Sequence, residues 1–496
     1  MKKLVWILVI VLAISMLLPT LAACTPEEEI PSKKAIVWVT ALLAGGLVDS
    51  QDGSAAWDPI NSENLSMANF MGKEIEDLIP ELLGGDLLAE LDISALLGPV
   101  LDGVEDDSNF LWRLTLDENR VANDPDVVVA TDPSIGLYYG VLRAYESQIK
   151  GLQAVYGDEY EVKVYAYDWR YDNHLAAEGL EKFMQENNYR DSVILAHSMG
   201  GAVVAEYLAR SQDNRDRVAA YVSMGGTLAG SFDTWHMMEN PATYVTDLLE
   251  NNGMSSILGL LDLLNLRDKV QGVLRQVQDF VVSTDTFIQL LPTWELLQSA
   301  HYSADNPAVT VDGVAITSEE QLLDLYASRP WAWQKDADGN YVYNEDGSHK
   351  LRYAMEGLRE YQDSLYVTLP SGERVISTSL VNTYYVTGAE VATHCGVDIT
   401  HDEEGNESIT FRYSYEGDMQ VLLHSLIENQ DPDALLENGH LVVMHGANHY
   451  SVGCDWNLIK EELIRLIDTV AETDGAARAA ELEAEQQVPG EEEPIE

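Results

Sequence analysis

The sequence predicts an α/β fold, with a mostly parallel central sheet covered by helices and a large inserted cap. Three observations carry this reading. Short apolar runs alternate with amphipathic segments between about residues 135 and 226. The run VILA at 193–196 passes directly through HSMGG into the helical pattern AVVAEYLA. The alternation then fails from about 227 to 380 and resumes afterwards. Continuous apolar runs bounded by turn residues suit strands buried on both faces, as a parallel sheet requires.

Taken in order, AIVWVTALL (35–43) reads as the first buried strand, followed by a glycine-bearing loop, AGGLVDSQDGSAAWDP. A leucine-rich acidic insertion at about 65–105 repeats its apolar residues at three and four, the period of short amphipathic helices that pack on the body, with a lipid surface as the alternative. Residues 137–155 predict an amphipathic helix, VKVYAYDWR a strand, LAAEGLEKFMQENN a helix, VILAH the strand before the serine, and 218–226 the next strand. These belong to the first part of the core, 35–226, and the inserted cap or lid covers 227–380. Within the cap, Asp336, Asp338 and Asn340 have the alternating oxygens of a calcium loop. Tyr341, however, stands where that loop needs glycine, and no glutamate closes it, so a hairpin with Asp-Gly turns is expected and no metal. The second part of the core, 381–472, takes up the strand in LVNTYYVTGAE (380–390) and adds the strand HLVVMHGA (440–447) and the helix WNLIKEELIRLIDTV.

Residues 1–23 have the basic start, apolar stretch and small-residue ending of a lipoprotein signal peptide, with Cys24 as the lipidated first residue of the mature chain. An uncleaved anchor or an ordinary signal are the alternatives. The expected location is therefore outside the cytoplasm, lipid-anchored on the outer face of a bacterial membrane, with 24–34 as a tether and 473–496 as an acidic disordered tail. With 83 acidic and 29 basic residues the formal charge is −54, which repels nucleic acid and serves solubility. Cys395 and Cys454 remain once Cys24 carries lipid. Export permits a disulfide between them, and the sequence does not supply their separation.

The HSMGG turn suits a nucleophile elbow, in which Ser198 sits on a strained strand-to-helix turn between small residues. Here Ala196 replaces the usual first glycine. A plain helix N-cap is the competing explanation for the serine. A base must lie beyond the end of its strand, which favours His449 over His445. In the expected chain order Asp418, behind Gly417, is the candidate acid, with Asp398 and Asp431 as rivals. An oxyanion needs two backbone N–H groups, one from Met199 and one from the loop at about Leu42 to Ala44.

AYDWR (166–170), LAHSMGG (195–201), FIQLLPTWELL (287–297), YEGDMQV (415–421) and HGANH (445–449) together resemble the lecithin:cholesterol acyltransferase family of α/β-hydrolases, over roughly residues 35–470. The resemblance implies an α/β-hydrolase fold and a Ser198–Asp418–His449 triad. It also implies Leu43 as the second oxyanion donor, a lid over an acyl-lipid site, and an acyl-lipid ester such as a phospholipid as substrate. No cofactor is implied. Two segments depart from the family pattern: VTALLAGGL carries Ala41 and Ala44 at glycine positions, and GDMQV replaces G-D-G-T-V. The triad is the same for hydrolysis and for O-acyl transfer, so the sequence does not separate them. The other readings are an inactive hydrolase-fold lipoprotein that binds lipid or a partner, and a carboxylesterase for soluble esters. Oligomeric state is not set by the sequence.

Overall fold

Six strands form one wholly parallel sheet: β1 (Ala35–Val39), β2 (Glu161–Tyr165), β3 (Ser192–His197), β4 (Val218–Met224), β5 (Thr383–Ala389) and β6 (Leu441–His445). The computed structural model describes residues 32–53, 55–57, 110–130, 145–251, 278–336, 339–428 and 430–470. Cys24, the leucine-rich insertion at 65–105, SSILGLLDLLNL, Asp338 and the acidic tail lie outside the described residues. Every residue of β1 and of β3 is buried. Alternate residues feed two cores. Val37, Val39, Ile194 and Ala196 join one, and Ile36, Trp38, Val193 and Leu195 join the other. This is why these strands read as unbroken apolar runs rather than as alternating ones.

Helices cover both faces. On the first face, α2 (Asn173–Glu186) and α3 (Gly200–Arg210) contribute Leu180, Met184, Val203 and Tyr207. On the second, α1 (Glu146–Tyr156) contributes Ile149 and Leu152, which share a core with Ile459, Leu463 and Ile467 of the helix over 456–470. Asp172 caps α2 by accepting from the His174 N–H. No described helix is long and apolar enough to cross a membrane. The sheet order is β6-β5-β4-β3-β1-β2. The chain thus leaves β1 toward one edge, returns to the other side of β1 as β3, and continues outward. An open α/β sheet places its ligand site at the carboxyl ends of the strands where the order reverses, here between β1 and β3.

Two segments differ from the sequence reading. Residues expected as a loop after β1 include the strands Leu47–Asp49 and Ala55–Trp57, which form a small antiparallel sheet with Val127–Val129. Strands of three residues are too short to show a period. Residues 393–414, assigned to the core's second part, form an antiparallel hairpin, Thr393–His401 with Glu407–Ser414. That hairpin joins the cap strand Val309–Val311 in parallel, making a second, four-stranded sheet. Around Asp336 the backbone does form hairpin bridges, Lys335 with Tyr341 and Tyr343 with His349.

Candidate active site

Ser198 follows the last residue of β3 and precedes α3 with φ +56°, a left-handed conformation that costs a non-glycine residue about 1–2 kcal/mol. The turn is held by main-chain bonds: the Ser198 N–H donates to the Met224 carbonyl (3.0 Å), and the Gly201 N–H donates back to the Ser198 carbonyl (2.8 Å). Glycine at 200 is a steric requirement, since a Cβ there would stand 2.7 Å from the Thr40 oxygen and 2.8 Å from that of Val39. The start of α3 therefore abuts the loop after β1. A plain N-cap does not account for this turn, because an N-cap residue has extended backbone and its side chain accepts from the helix, and neither is seen at Ser198.

Across the end of β4, His449 opens helix α4 (His449–Cys454), and its Nδ1 lies 2.8 Å from Asp418 Oδ2. Both side chains are buried, and Asp418 is fully so. The other Asp418 oxygen accepts from the N–H groups of Val421 (2.8 Å) and Gln420 (3.2 Å), which fixes the carboxylate plane. The His449 main-chain N–H also donates to the Asp418 carbonyl at 2.6 Å. With Nδ1 facing a carboxylate, the remaining nitrogen Nε2 is the ring's free acceptor. It is buried and makes no hydrogen bond among the described residues. Asp418, His449 and the Ser198 turn meet around one residue, Gly225. It follows the Met224 carbonyl that holds Ser198, and its Cα faces the Asp418–His449 pair.

The rival residues have other positions. His445 is exposed at the end of β6 and pairs with Glu390 at 3.2 Å. Asp398 sits on the outer hairpin with Arg412 (3.0 Å), and Asp431 caps the helix Pro432–Glu437.

Of the two candidate oxyanion donors, Met199 is the N-cap residue immediately before α3 and is fully buried. The loop after β1 closes with the Ala44 N–H on the Ala41 carbonyl (3.2 Å), and its left-handed residue is Leu43, φ +64°. The strain thus falls on Leu43 rather than on the alanines that occupy the family's glycine positions. YDWR explains itself here. Tyr167 donates to the Thr40 carbonyl (2.8 Å) and Trp169 to the Gly45 carbonyl (3.1 Å), clamping both ends of this loop. Arg170, buried, pairs with Asp168 (2.7 Å) and donates to the Val127 carbonyl (2.8 Å). In the cap, the Thr293 N–H donates to the Ala229 carbonyl (3.0 Å) and the Thr286 hydroxyl to the Trp169 carbonyl (2.7 Å), tying 285–297 to the segment after β4 and to YDWR.

Residues 138–257 match the family model of lecithin:cholesterol acyltransferase. That bears out the family read from the sequence, and the match contains the Ser198 turn and YDWR, while Asp418 and His449 lie beyond it. A solved structure described as that of the Tle4–Tli4 complex is 13% identical, with 85% of this chain and 95% of that chain covered and a TM-score of 0.38. No curated protein matches the chain. The parallel sheet with helices on both faces and a serine turn after its third strand is the α/β-hydrolase arrangement that this acyltransferase family implies.

Two buried networks were not read from the sequence. In the first, the Tyr145 hydroxyl lies 2.6 Å from His197 Nδ1, and His197 Nε2 lies 2.9 Å from the His449 carbonyl. His197 therefore donates through Nε2 and accepts through Nδ1, as a neutral ring. Burial first, and then the neighbouring His449, push its pKa down to about 3. The His449 backbone is thereby held from both sides, by Asp418 at its N–H and by His197 at its carbonyl. A histidine ending a buried apolar strand was the available signal, since a buried imidazole needs partners. In the second network, Asp233 bonds His394, whose Nε2 lies 2.9 Å from His236 Nδ1. The other His236 nitrogen lies 3.0 Å from the Thr243 hydroxyl. Cys395 and Cys454, considered as a pair, are free buried thiols in separate core clusters, Cys395 on the strand Thr393–His401 and Cys454 at the end of α4, which corrects the disulfide expectation.

Proposed function

We propose that this protein is a serine-dependent lipid acyl hydrolase or O-acyltransferase acting on acyl-lipid esters such as phospholipids. The observation that supports this best is the buried His449–Asp418 pair, with the histidine's unpaired Nε2, beside a serine held in a left-handed turn. In the proposed reaction His449 Nε2 takes the Ser198 proton as Oγ attacks the ester carbonyl. Negative charge develops on the carbonyl oxygen in front of the Met199 and Leu43 N–H groups. Collapse expels the lipid alcohol, which leaves with the proton from His449. Water or a second lipid alcohol then takes the acyl group from Ser198 by the same steps in reverse. Asp418 holds the Nδ1–H tautomer and stabilises the imidazolium. Every step uses residues of this chain and needs no cofactor.

In this reading residues 1–23 export the chain, and a lipid on Cys24 holds it on the outer face of a bacterial membrane, next to its substrates. The test is fatty-acid release from phospholipid vesicles by the full chain, beside hydrolysis of a short-chain ester followed through its micellar transition, with Ser198→Ala as control. A rise in rate when substrate aggregates, lost in the variant, supports lipid acyl chemistry. Equal rates on monomeric and aggregated ester would favour a soluble-ester carboxylesterase, and no turnover of either would favour an inactive binding protein.

A further inference from the structure

The loop that carries Asp418 is bracketed by two metal-type ligands, Glu416 and His424, and a third, His301, reaches it from the end of the cap segment. One donor atom from each of the three lies within 4.8 Å of the others. His301 Nδ1 is 2.8 Å and His424 Nε2 is 3.9 Å from the same Glu416 oxygen, Oε2. The two rings are tilted at 42° to each other with centroids 5.4 Å apart. We propose that His301, Glu416 and His424 bind a divalent transition-metal ion, zinc above all, which closes the mouth of the Asp418 loop and ties it to the cap.

The donor set is two imidazoles and one carboxylate, which suits zinc and leaves a fourth tetrahedral position for water. Zinc bonds of about 2.0–2.1 Å put ligand atoms about 3.3 Å apart, so separations of up to 4.8 Å close by about 1.5 Å at most, within reach of side-chain rotation. The close ion pair is that of His301 with Glu416, while His424 stands at 3.9 Å, at the outer limit of such a contact. His424 is mostly buried, at 11% side-chain exposure, and its ring makes no hydrogen bond among the described residues. Glu416 is 61% exposed and gives an ion its way in. The chain's formal charge of −54 draws a dication toward it.

The position gives the ion a task. The Leu423 N–H donates to the Glu416 carbonyl (2.9 Å), and Gly417 bridges Leu422, so the loop is already nearly closed. Joining Glu416 to His424 completes that closure around Asp418, and His301 adds a tie to the segment ending after Trp294–Leu297. The ion is a positioning element and touches no reacting atom.

The test uses the untagged full chain in detergent, stripped with a chelator, reloaded with zinc alone and desalted. Bound metal is then measured by elemental analysis, affinity by competition with a chromophoric chelator, and melting temperature with and without zinc. The expected result is one zinc per chain and a higher melting temperature. His301→Ala, His424→Ala and Glu416→Gln should each weaken binding by on the order of 100-fold with unchanged far-ultraviolet circular dichroism. Glu416→Gln keeps the shape of an exposed side chain, so it reads the site even if a histidine variant misfolds. His445→Ala, which removes an exposed His–Glu pair elsewhere, should leave binding as it was. A stripped chain that takes up no zinc overturns the proposal, as does uptake that survives Glu416→Gln or both histidine substitutions. Because the readout is metal binding, failure here leaves the proposed acyl chemistry standing.

Discussion

Gly225→Ala is a single methyl group placed between the end of β4 and the Asp418–His449 pair. Its Cβ would lie 2.8 Å from Asp418 Oδ2, 2.9 Å from His449 Nδ1 and 3.0 Å from His449 Cε1. Ordinary contact is about 3.5 Å or more, so something must move by roughly half an ångström. None of the parties is free to do so alone. The Val421 and Gln420 N–H groups hold the carboxylate, and both main-chain groups of His449 are bonded. The expected response is a stretched or broken bond between Nδ1 and Oδ2. A hydrogen bond to a charged group contributes about 1.5–3 kcal/mol, and each 1.36 kcal/mol is tenfold in rate, so kcat should fall by roughly 10- to 150-fold. The φ of +56° adds strain of about 1 kcal/mol to stability. Gly372→Ala separates the two effects, because Gly372 has φ +88° with nothing within 4 Å of a Cβ. Gly372→Ala should lose only the strain of its backbone in denaturant titrations, Gly225→Ala that and the cost of the distorted pair, and only Gly225→Ala should slow turnover and labelling by a fluorophosphonate probe. Wild-type labelling rates in folded Gly225→Ala would refute the placement of the pair.

Three further outcomes follow from the same geometry. Tyr145→Phe leaves buried His197 Nδ1 without its donor and should cost about 1–3 kcal/mol of stability, with a fall in kcat at unchanged KM; a change confined to KM would contradict a positioning role. Ser198→Gly relieves about 1–2 kcal/mol of backbone strain against about 0.5–1 kcal/mol of added chain entropy, so its denaturation midpoint should match or exceed wild type while activity vanishes. Stability should also fall on acidification. His197 and His236 are both depressed by burial to about 3, so between pH 6.5 and 3 the unfolded chain binds a proton at each that the folded chain does not. Unfolding free energy therefore drops by about 1.4 kcal/mol per pH unit for each, in full only well below pH 6.5. Burial raises Glu206 to about 7, which gives the opposite slope between its unfolded value of 4.5 and 7 and offsets one histidine there. His197→Gln should flatten the measured dependence between pH 6 and 4, and an unchanged slope would place the His197 proton elsewhere.

The sheet was legible because its strands are buried on both faces. Runs such as AIVWV and VILA have no polar side to blur them, and the helices between them carry apolar residues at helical spacing. The small sheet around Leu47–Asp49 left no such trace, because its strands are three residues long. The pairing of Thr393–His401 with Val309–Val311 escaped for a different reason, since a contact across more than eighty residues has no local signature. The turn at Ser198 and the pairing of Asp418 with His449 were foreshadowed by chain order and by glycines at turns. The partners that hold them were not. Tyr145 and His197 meet across 52 positions, and nothing in the letters near Tyr145 announces a bond to the strand before the serine. Leu43 shows the limit most plainly. The sequence reading looked for missing glycines at 41 and 44, whereas the backbone places the left-handed residue between them.

The account rests on Ser198 being a nucleophile activated by His449. The most direct measurement is labelling of the full chain in detergent with a fluorophosphonate, followed by peptide mapping, with Ser198→Ala and His449→Ala alongside. The account predicts one modified residue, Ser198, and no labelling in either variant. A folded wild-type chain that stays unlabelled, or a label that persists in Ser198→Ala, would contradict it.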